Sequence, residues 1–191
     1  RPMDDILFSS SSDEWATPDA LFKQISDVFG PFDLDPCATR QNAKAEWWFG
    51  DRTNNGHQPI FNNDDFTDGL THKWRNIMGQ PANVFVNPPF CREKKMYVEP
   101  WIQKAWDEVQ TGNATQVVML IPARVETKIW HEVIFPKAEI IAFIKGRVQF
   151  KGVTKSGKPN SATFPSAIVV FSQAPGNGKL QRQPYILGWI Q

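Results

Sequence analysis

Val84-Phe85-Val86-Asn87-Pro88-Pro89-Phe90 sets a short apolar run directly against an amide, two prolines and an aromatic ring. The apolar run reads as a buried strand, and the residues after it as a rigid turn. The side chains suggest more than a turn. The exocyclic amine of a nucleobase has its lone pair delocalised into the ring, so it attacks poorly until acceptors hold its N–H groups and aim the lone pair. The Asn87 side-chain oxygen is one such acceptor and the Pro88 backbone carbonyl a second. Proline brings no competing N–H, and its fixed φ stiffens the loop. Phe90 offers a face on which an extruded base can stack, worth roughly 1–3 kcal/mol per base. Asn87, Pro88, Pro89 and Phe90 are therefore the candidate catalytic residues, acting chiefly by positioning.

Upstream of this stretch, Thr17 is expected as the N-cap of a helix with Pro18 at its first position. Leu21, Phe22, Ile25, Val28 and Phe29 recur at helical spacing until Gly30. Phe32 to Asp35 reads as a short strand and residues 43 to 49 as a second. Downstream, Val98, Trp101, Ile102, Ala105, Trp106 and Val109 mark a helix with one buried face, closed by Gly112. Gln116 to Ile121 reads as a strand, Thr127 to Ile134 as a short helix, and Ile140 to Ile144 and Ala167 to Phe171 as two further strands. Strands alternating with helices predict an α/β fold with a mostly parallel central sheet flanked by helices. Such a sheet binds ligand at the carboxyl ends of its strands.

A chain of 191 residues suits one well-buried core. Residues 1–12, polar and Ser-rich, read as a flexible leader, and Met3 as the natural start. Residues 13–191 are expected to form one domain, with 50–83 and 147–164 as long loops or a protruding hairpin. No apolar run approaches the roughly 20 residues that span a membrane, and no secretory signal opens the chain, so a cytoplasmic monomer is expected. Cys37 and Cys91 do not make a disulfide framework and read as reduced, small apolar residues. His57, His72 and His131 lack metal-ligand spacing, and no metal site is expected.

The net charge of +1 hides an asymmetry. Residues 140–191 contain seven Lys or Arg and no Asp or Glu, which leaves the first 139 residues at a net of −6. Lys151, Lys155 and Lys158, interleaved with Phe150, Phe164 and Tyr185, read as a phosphate-facing surface or, alternatively, as a solvated hairpin.

Several blocks occur in one order: Asp13-Glu14-Trp15-Ala16-Thr17-Pro18, Phe32-Asp33-Leu34-Asp35-Pro36-Cys37-Ala38, Asn42-Ala43-Lys44, Asp68-Gly69-Leu70 and Asn87 to Phe90. Ile121-Pro122-Ala123-Arg124, Gly146-Arg147-Val148-Gln149-Phe150 and Ser166-Ala167-Ile168-Val169-Val170-Phe171 follow. Over most of the chain this resembles the phage-type, Dam-like DNA N6-adenine methyltransferases. The resemblance implies a single-domain Rossmann-like fold, S-adenosylmethionine as methyl donor and double-stranded DNA as partner. It implies that Asp35, Pro36 and Cys37 hold the methionine part of the cofactor, and that Trp15, Thr17 and Pro18 close over it. Asp68 is the candidate partner of the adenosine part. Arg124 and Arg147, in family-like blocks, are candidate DNA contacts, with surface ion pairing as the alternative, and the segments 50–83 and 147–164 are the candidate DNA-recognition elements. One departure stands out: Pro36-Cys37-Ala38-Thr39-Arg40-Gln41 lacks the glycine-rich loop of many methyltransferases. Transfer to cytosine N4, an RNA base or a glutamine stays open, as does a non-catalytic DNA-binding role.

Overall fold

The first expected helix forms one residue late. In the computed structural model, which describes residues 16–38, 42–49, 68–89, 97–153, 159–162, 164–173 and 183–191, helix α1 spans Asp19–Phe29. Pro18, not Thr17, occupies the capping position, and no side chain caps the helix. Leu21 and Ile25, one turn apart, are its buried residues.

Seven strands form the main sheet. They are β1 (Leu34–Asp35), β2 (Trp47–Trp48), β3 (Ala82–Val86), β4 (Ala114–Pro122), β5 (Ile140–Ile144), β8 (Ser166–Ser172) and β9 (Tyr185–Trp189), in the order β2-β1-β3-β4-β8-β5-β9. Pairs β1·β2, β1·β3, β3·β4 and β5·β9 are parallel, while β8 runs antiparallel to both β4 and β5. The fold is α/β and Rossmann-like, its sheet mostly parallel with one reversed strand.

Alternation along the central strands explains why these runs are almost wholly apolar. Val84, Val86, Val117, Met119, Ile121, Val169 and Phe171 enter one core layer with Trp101, Ile102 and Val109 of helix α3 (Glu99–Gln110). Phe85, Val118, Leu120, Ile168 and Val170 point the other way and enter a second layer with Leu21 and Ile25 of α1. A strand covered on both faces needs apolar residues at odd and even positions alike. Helix α3 ends where Gly112 takes a φ of +77°, the left-handed turn open to glycine.

Four elements depart from expectation. The first two strands are shorter than their apolar runs suggest. The helix near residue 130 runs over 128–137 and contains a π-helical turn, Trp130–Ile134, ahead of a short last turn α4, Phe135–Lys137. Pro136 lacks an N–H and its ring crowds the preceding turn, so the wider hydrogen-bond ring relieves the clash. Strand β9 has no signal in the sequence, because Tyr185, Ile186 and Leu187 are exposed and show no alternation of polar and apolar residues.

The expected hairpin exists as β6 (Gln149–Val153) paired antiparallel with β7 (Pro159–Ser161). Phe150 is buried in the second core layer, so it does not belong to a phosphate-facing surface. Helix α2 (Asp68–Thr71) completes the described elements. Among the described residues, no helix is long and apolar enough to cross a membrane.

Candidate functional site

The chain runs from β1 outward to β2 and then returns to β3 on the opposite side of β1, so the strand order reverses between β1 and β3. A crevice opens at such a reversal, beyond the carboxyl ends of the two strands. Asp35 ends β1 and Asn87 follows β3. Both line one pocket with Ala16, Thr17, Cys37, Ala38, Asn42, Lys44 and Phe85.

Each segment reaches the pocket for a local reason. Pairing of β3 with β4 ends at Val86↔Met119, although β4 continues to Pro122. Two prolines with no N–H to donate cannot extend the ladder, so the main chain leaves the sheet at Asn87. The loop after β1 is held from behind by Gly69 of α2. A Cβ there would lie 2.0 Å from the Pro36 carbonyl oxygen and 2.8 Å from the Trp101 ring, which only glycine avoids. Asp68, which opens α2, is thereby set beside the loop carrying Pro36 and Cys37.

Three hydrogen bonds tie these segments together. The Cys37 thiol donates to the Asn87 carbonyl at 3.3 Å. Asn87 Nδ2 donates to Thr17 Oγ1 at 3.1 Å. The Lys44 main-chain N–H donates to Asp35 Oδ2 at 3.1 Å. Lys44 Nζ in turn pairs with Asp19 Oδ1 at 2.8 Å and lies 5.5 Å from the centre of the Phe22 ring.

Burial sets the electrostatics. Asp35 is 4% exposed, and desolvation pushes its carboxyl from the ordinary 3.8 up to about 7, against the Lys44 and Cys37 main-chain donors and the Lys44 charge. Burial also pushes the Cys37 thiol well above its usual range, and the neighbouring Asp35 charge adds to this. Cys37 therefore stays a protonated thiol at neutral pH and acts as a donor, not a nucleophile.

The structure brings Thr17, Asp35, Cys37 and Asn87 to one pocket. Buried Pro36 and Pro88 lie in the same two loops, half-buried Pro89 follows Pro88, and half-buried Pro18 follows Thr17. Lys44, Asn42, Ala38 and Phe85 also line the pocket and are not among the expected site residues. In the sequence, Asn42 and Lys44 are signalled by the Asn42-Ala43-Lys44 block, Ala38 closes the Phe32 to Ala38 block, and Phe85 belongs to the apolar run before Asn87. Trp15, Phe90, Lys155 and Lys158 lie outside the described residues, as do the side chains of Asp68 and Lys151.

The remaining basic residues can be located from strand direction. β5 points the same way as β4, since β8 runs antiparallel to both, so the carboxyl ends of β1, β3, β4 and β5 share one edge. Arg124 follows β4 on that edge, its Nε 2.8 Å from Glu126 Oε1 in an exposed ion pair. Arg147 follows β5 on the same edge, exposed, just after Gly146 at φ +78°. The β6–β7 hairpin starts there as well.

The segment 50–83 divides differently. Its last part, including the turn around Asn76 and the bridge Arg75↔Pro81, lies at the amino end of β3. That is a strand's length from Asn87, about 15 Å at roughly 3.3 Å per residue. The part beyond Trp74 therefore lies at the opposite edge of the sheet from Asn87. Among the described residues, no group of three or more His, Cys, Asp or Glu is placed to hold a metal.

Residues 6–179 match the model of a family described as DNA N-6-adenine-methyltransferase (Dam). The chain is similar to a DNA N-6-adenine-methyltransferase of Escherichia phage T1, 26% identical over 129 residues, which are 68% of this chain and 44% of the phage protein. It is also similar to a protein assigned as a methyltransferase, YfdM, of Escherichia coli K12, 30% identical over 79 residues, 41% of this chain and 71% of that protein. The chain thus spans less than half the length of the phage relative. A solved structure from Listeria monocytogenes, described as a class I S-adenosylmethionine-dependent methyltransferase, aligns with a TM-score of 0.46 and 11% identity, covering 91% of this chain and 65% of the other.

Proposed function

From the premise that the chain belongs to the DNA N-6-adenine-methyltransferase (Dam) family, we propose that it transfers a methyl group from S-adenosylmethionine to N6 of an adenine flipped out of double-stranded DNA. The observation that carries the reading is the meeting of Asp35 and Asn87 at the strand-order reversal, joined through the Cys37–Asn87 hydrogen bond. One residue suits a cationic cofactor and the other suits an amine.

The donor set fits the cofactor. A buried carboxyl whose ionisation is suppressed by desolvation is relieved when a cation sits beside it, and Asp35 is such a group. Asp35, the Pro36-Cys37 turn and Thr17-Pro18 are the residues that hold S-adenosylmethionine in this reading, with Asp68 toward its adenosine end. When bound there, the cofactor supplies an electrophilic methyl group.

The chain's own residues do the rest by placement. Asn87 Oδ1 and the Pro88 carbonyl accept the two N–H groups of the amine and turn its lone pair toward the methyl group. Phe90 stacks on the flipped base. As the new N–C bond forms and the methyl group's bond to sulfur breaks, the nitrogen becomes cationic and acidic and releases one proton to solvent, so no strong general base is needed. The Asn87 main-chain carbonyl already accepts from Cys37, which favours Pro88 as the second acceptor. Arg124 and Arg147, on the edge where Asn87 lies, are assigned to the phosphate backbone together with Lys151, Lys155 and Lys158.

Incubation with labelled S-adenosylmethionine and unmethylated duplex DNA, followed by digestion to nucleosides, tests this. Label in N6-methyladenosine supports it. Label in another base, or none from a folded protein that binds the cofactor, overturns it.

A further inference from the structure

Resting on the methyl-transfer reading, we infer that Thr17 is a positioning residue for Asn87: its hydroxyl, hydrogen-bonded to the side-chain amide, fixes where that amide stands when it meets the substrate amine. An asparagine amide carries oxygen at one end and NH2 at the other, nearly equal in size, and a half-turn about its last side-chain bond exchanges them. Only the oxygen end accepts from an amine. A hydroxyl can serve either end of an amide, so Thr17 fixes the position of the side chain, and the substrate amine takes its oxygen end.

Thr17 is built for that task. Its Oγ1 lies 3.1 Å from Asn87 Nδ2 across 70 residues of sequence, and the residue is 1% exposed, so water does not readily take the hydroxyl's place. The hydroxyl is not used by the helix that follows. Helix α1 begins at Asp19 with no side-chain cap, and its first main-chain bond, Phe22 N–H to the Pro18 carbonyl, is made at 2.9 Å. Pro18 fixes the backbone direction immediately after Thr17. The main chain of Asn87 is held independently by Cys37. Backbone and side chain of the same residue are thus each tied by a different segment, and Thr17 governs only the amide.

Thr17→Val keeps the shape and deletes the hydroxyl, while Thr17→Ser keeps the hydroxyl. The valine variant should lose about three- to tenfold in kcat at saturating S-adenosylmethionine, the scale of one neutral hydrogen bond, and the serine variant should recover most of the rate. An unchanged kcat in the valine variant, or serine behaving like valine, overturns the inference. A readout free of turnover is the Asn87 side-chain NH2 resonance of the 15N-labelled protein, assigned by its loss in Asn87→Ala. It should move in Thr17→Val and hold in Thr17→Ser; a resonance unmoved by valine overturns the inference even in an active enzyme. An inactive wild type with a shifted resonance overturns the functional reading and leaves the Thr17–Asn87 coupling standing. Should Thr17→Val fold poorly, Thr17→Ala carries the same test.

Discussion

Strands β1 and β3 carry an aspartate and an asparagine at each end, and the two pairs have opposite fates. At the amino edge, Asp33 Oδ2 accepts the Asn83 N–H at 2.8 Å, Asn83 Nδ2 donates to the carbonyls of Phe29 and Pro31 at 2.9 and 2.8 Å, and Asn83 Oδ1 accepts from Gln116 Nε2 at 3.0 Å. Both ends of that amide are consumed by the fold. At the carboxyl edge, Asp35 is buried with its ionisation suppressed, and Asn87 faces a pocket where Thr17 and Cys37 hold it from two loops outside the sheet. The same residue types on the same two strands brace the structure at one edge and line a pocket at the other. Residue type alone does not distinguish them; the prolines after Asn87 do, by forcing the chain out of the ladder.

The sharpest way to break this contrast is to truncate both amides. Asn87→Ala should lower kcat by about 100-fold or more, the range of a removed transition-state hydrogen-bonding group, while cofactor affinity stays within a few-fold by calorimetry. Asn83→Ala should instead destabilise by about 2–4 kcal/mol through removal of three side-chain bonds at ~1 kcal/mol each, read by urea denaturation, with activity per folded molecule retained. Wild-type-like activity in Asn87→Ala would dissolve the distinction.

The aspartates give an intermediate effect, and its sign follows from linkage. Because the folded pKa of Asp35 is raised from 3.8 to about 7, the protonated form is favoured in the fold, and the associated stability is present below about pH 4 and is lost as pH rises through about 7. Asp35→Asn should therefore be more stable than the wild type at about pH 8, with the difference shrinking toward about pH 4. A cationic cofactor prefers the ionised carboxyl, so affinity for S-adenosylmethionine should rise between about pH 6 and 8 in the wild type and stay flat in Asp35→Asn. Asp33→Asn should leave that profile unchanged. An identical pH profile in Asp35→Asn and wild type would remove Asp35 from the cofactor.

The smallest effect concerns charge at the two edges. Replacing Lys151, Lys155 and Lys158 by Gln should reduce the slope of log K against log salt for DNA binding, by about 0.9 for each phosphate no longer neutralised. Arg75 belongs to the other edge, where it binds Asn113 Oδ1 at 2.9 Å and the Gly79 carbonyl at 2.7 Å. Arg75→Gln should leave the slope unchanged, and equal slopes in the wild type and both variants would place DNA elsewhere.

How much of this is legible in the sequence follows the range of the interaction. The central strands can be read because burial on both faces demands unbroken apolar runs, and the Asn87 loop because two prolines are a local instruction. The proline-forced π turn, the exposed edge strand β9 and the short first strands cannot, since each is settled by neighbours rather than by its own period. The expectation that Thr17 caps α1 fails because a threonine before a proline reads locally as a cap, whereas its hydroxyl is claimed by a residue 70 positions away. Lys44 carries only the weak signal of its Asn42-Ala43-Lys44 block for a similar reason: its role shows only once the fold sets it against Asp35 and Asp19. Phe150 shows the reverse error, an aromatic among lysines that belongs to the core.

The glycine contact beneath the β1 loop has an optical consequence. Gly69 touches the Pro36 carbonyl and the Trp101 ring, its own carbonyl accepts from Trp74 Nε1 at 2.7 Å, and the two indoles stack with centroids 6.5 Å apart. With no slack between these groups, a ligand that displaces the Pro36 turn by even a fraction of an ångström must alter the environment of a buried indole pair. Intrinsic emission from Trp74 and Trp101 thus provides an unlabelled gauge of occupancy, built into the wall on which the methionine moiety is expected to rest.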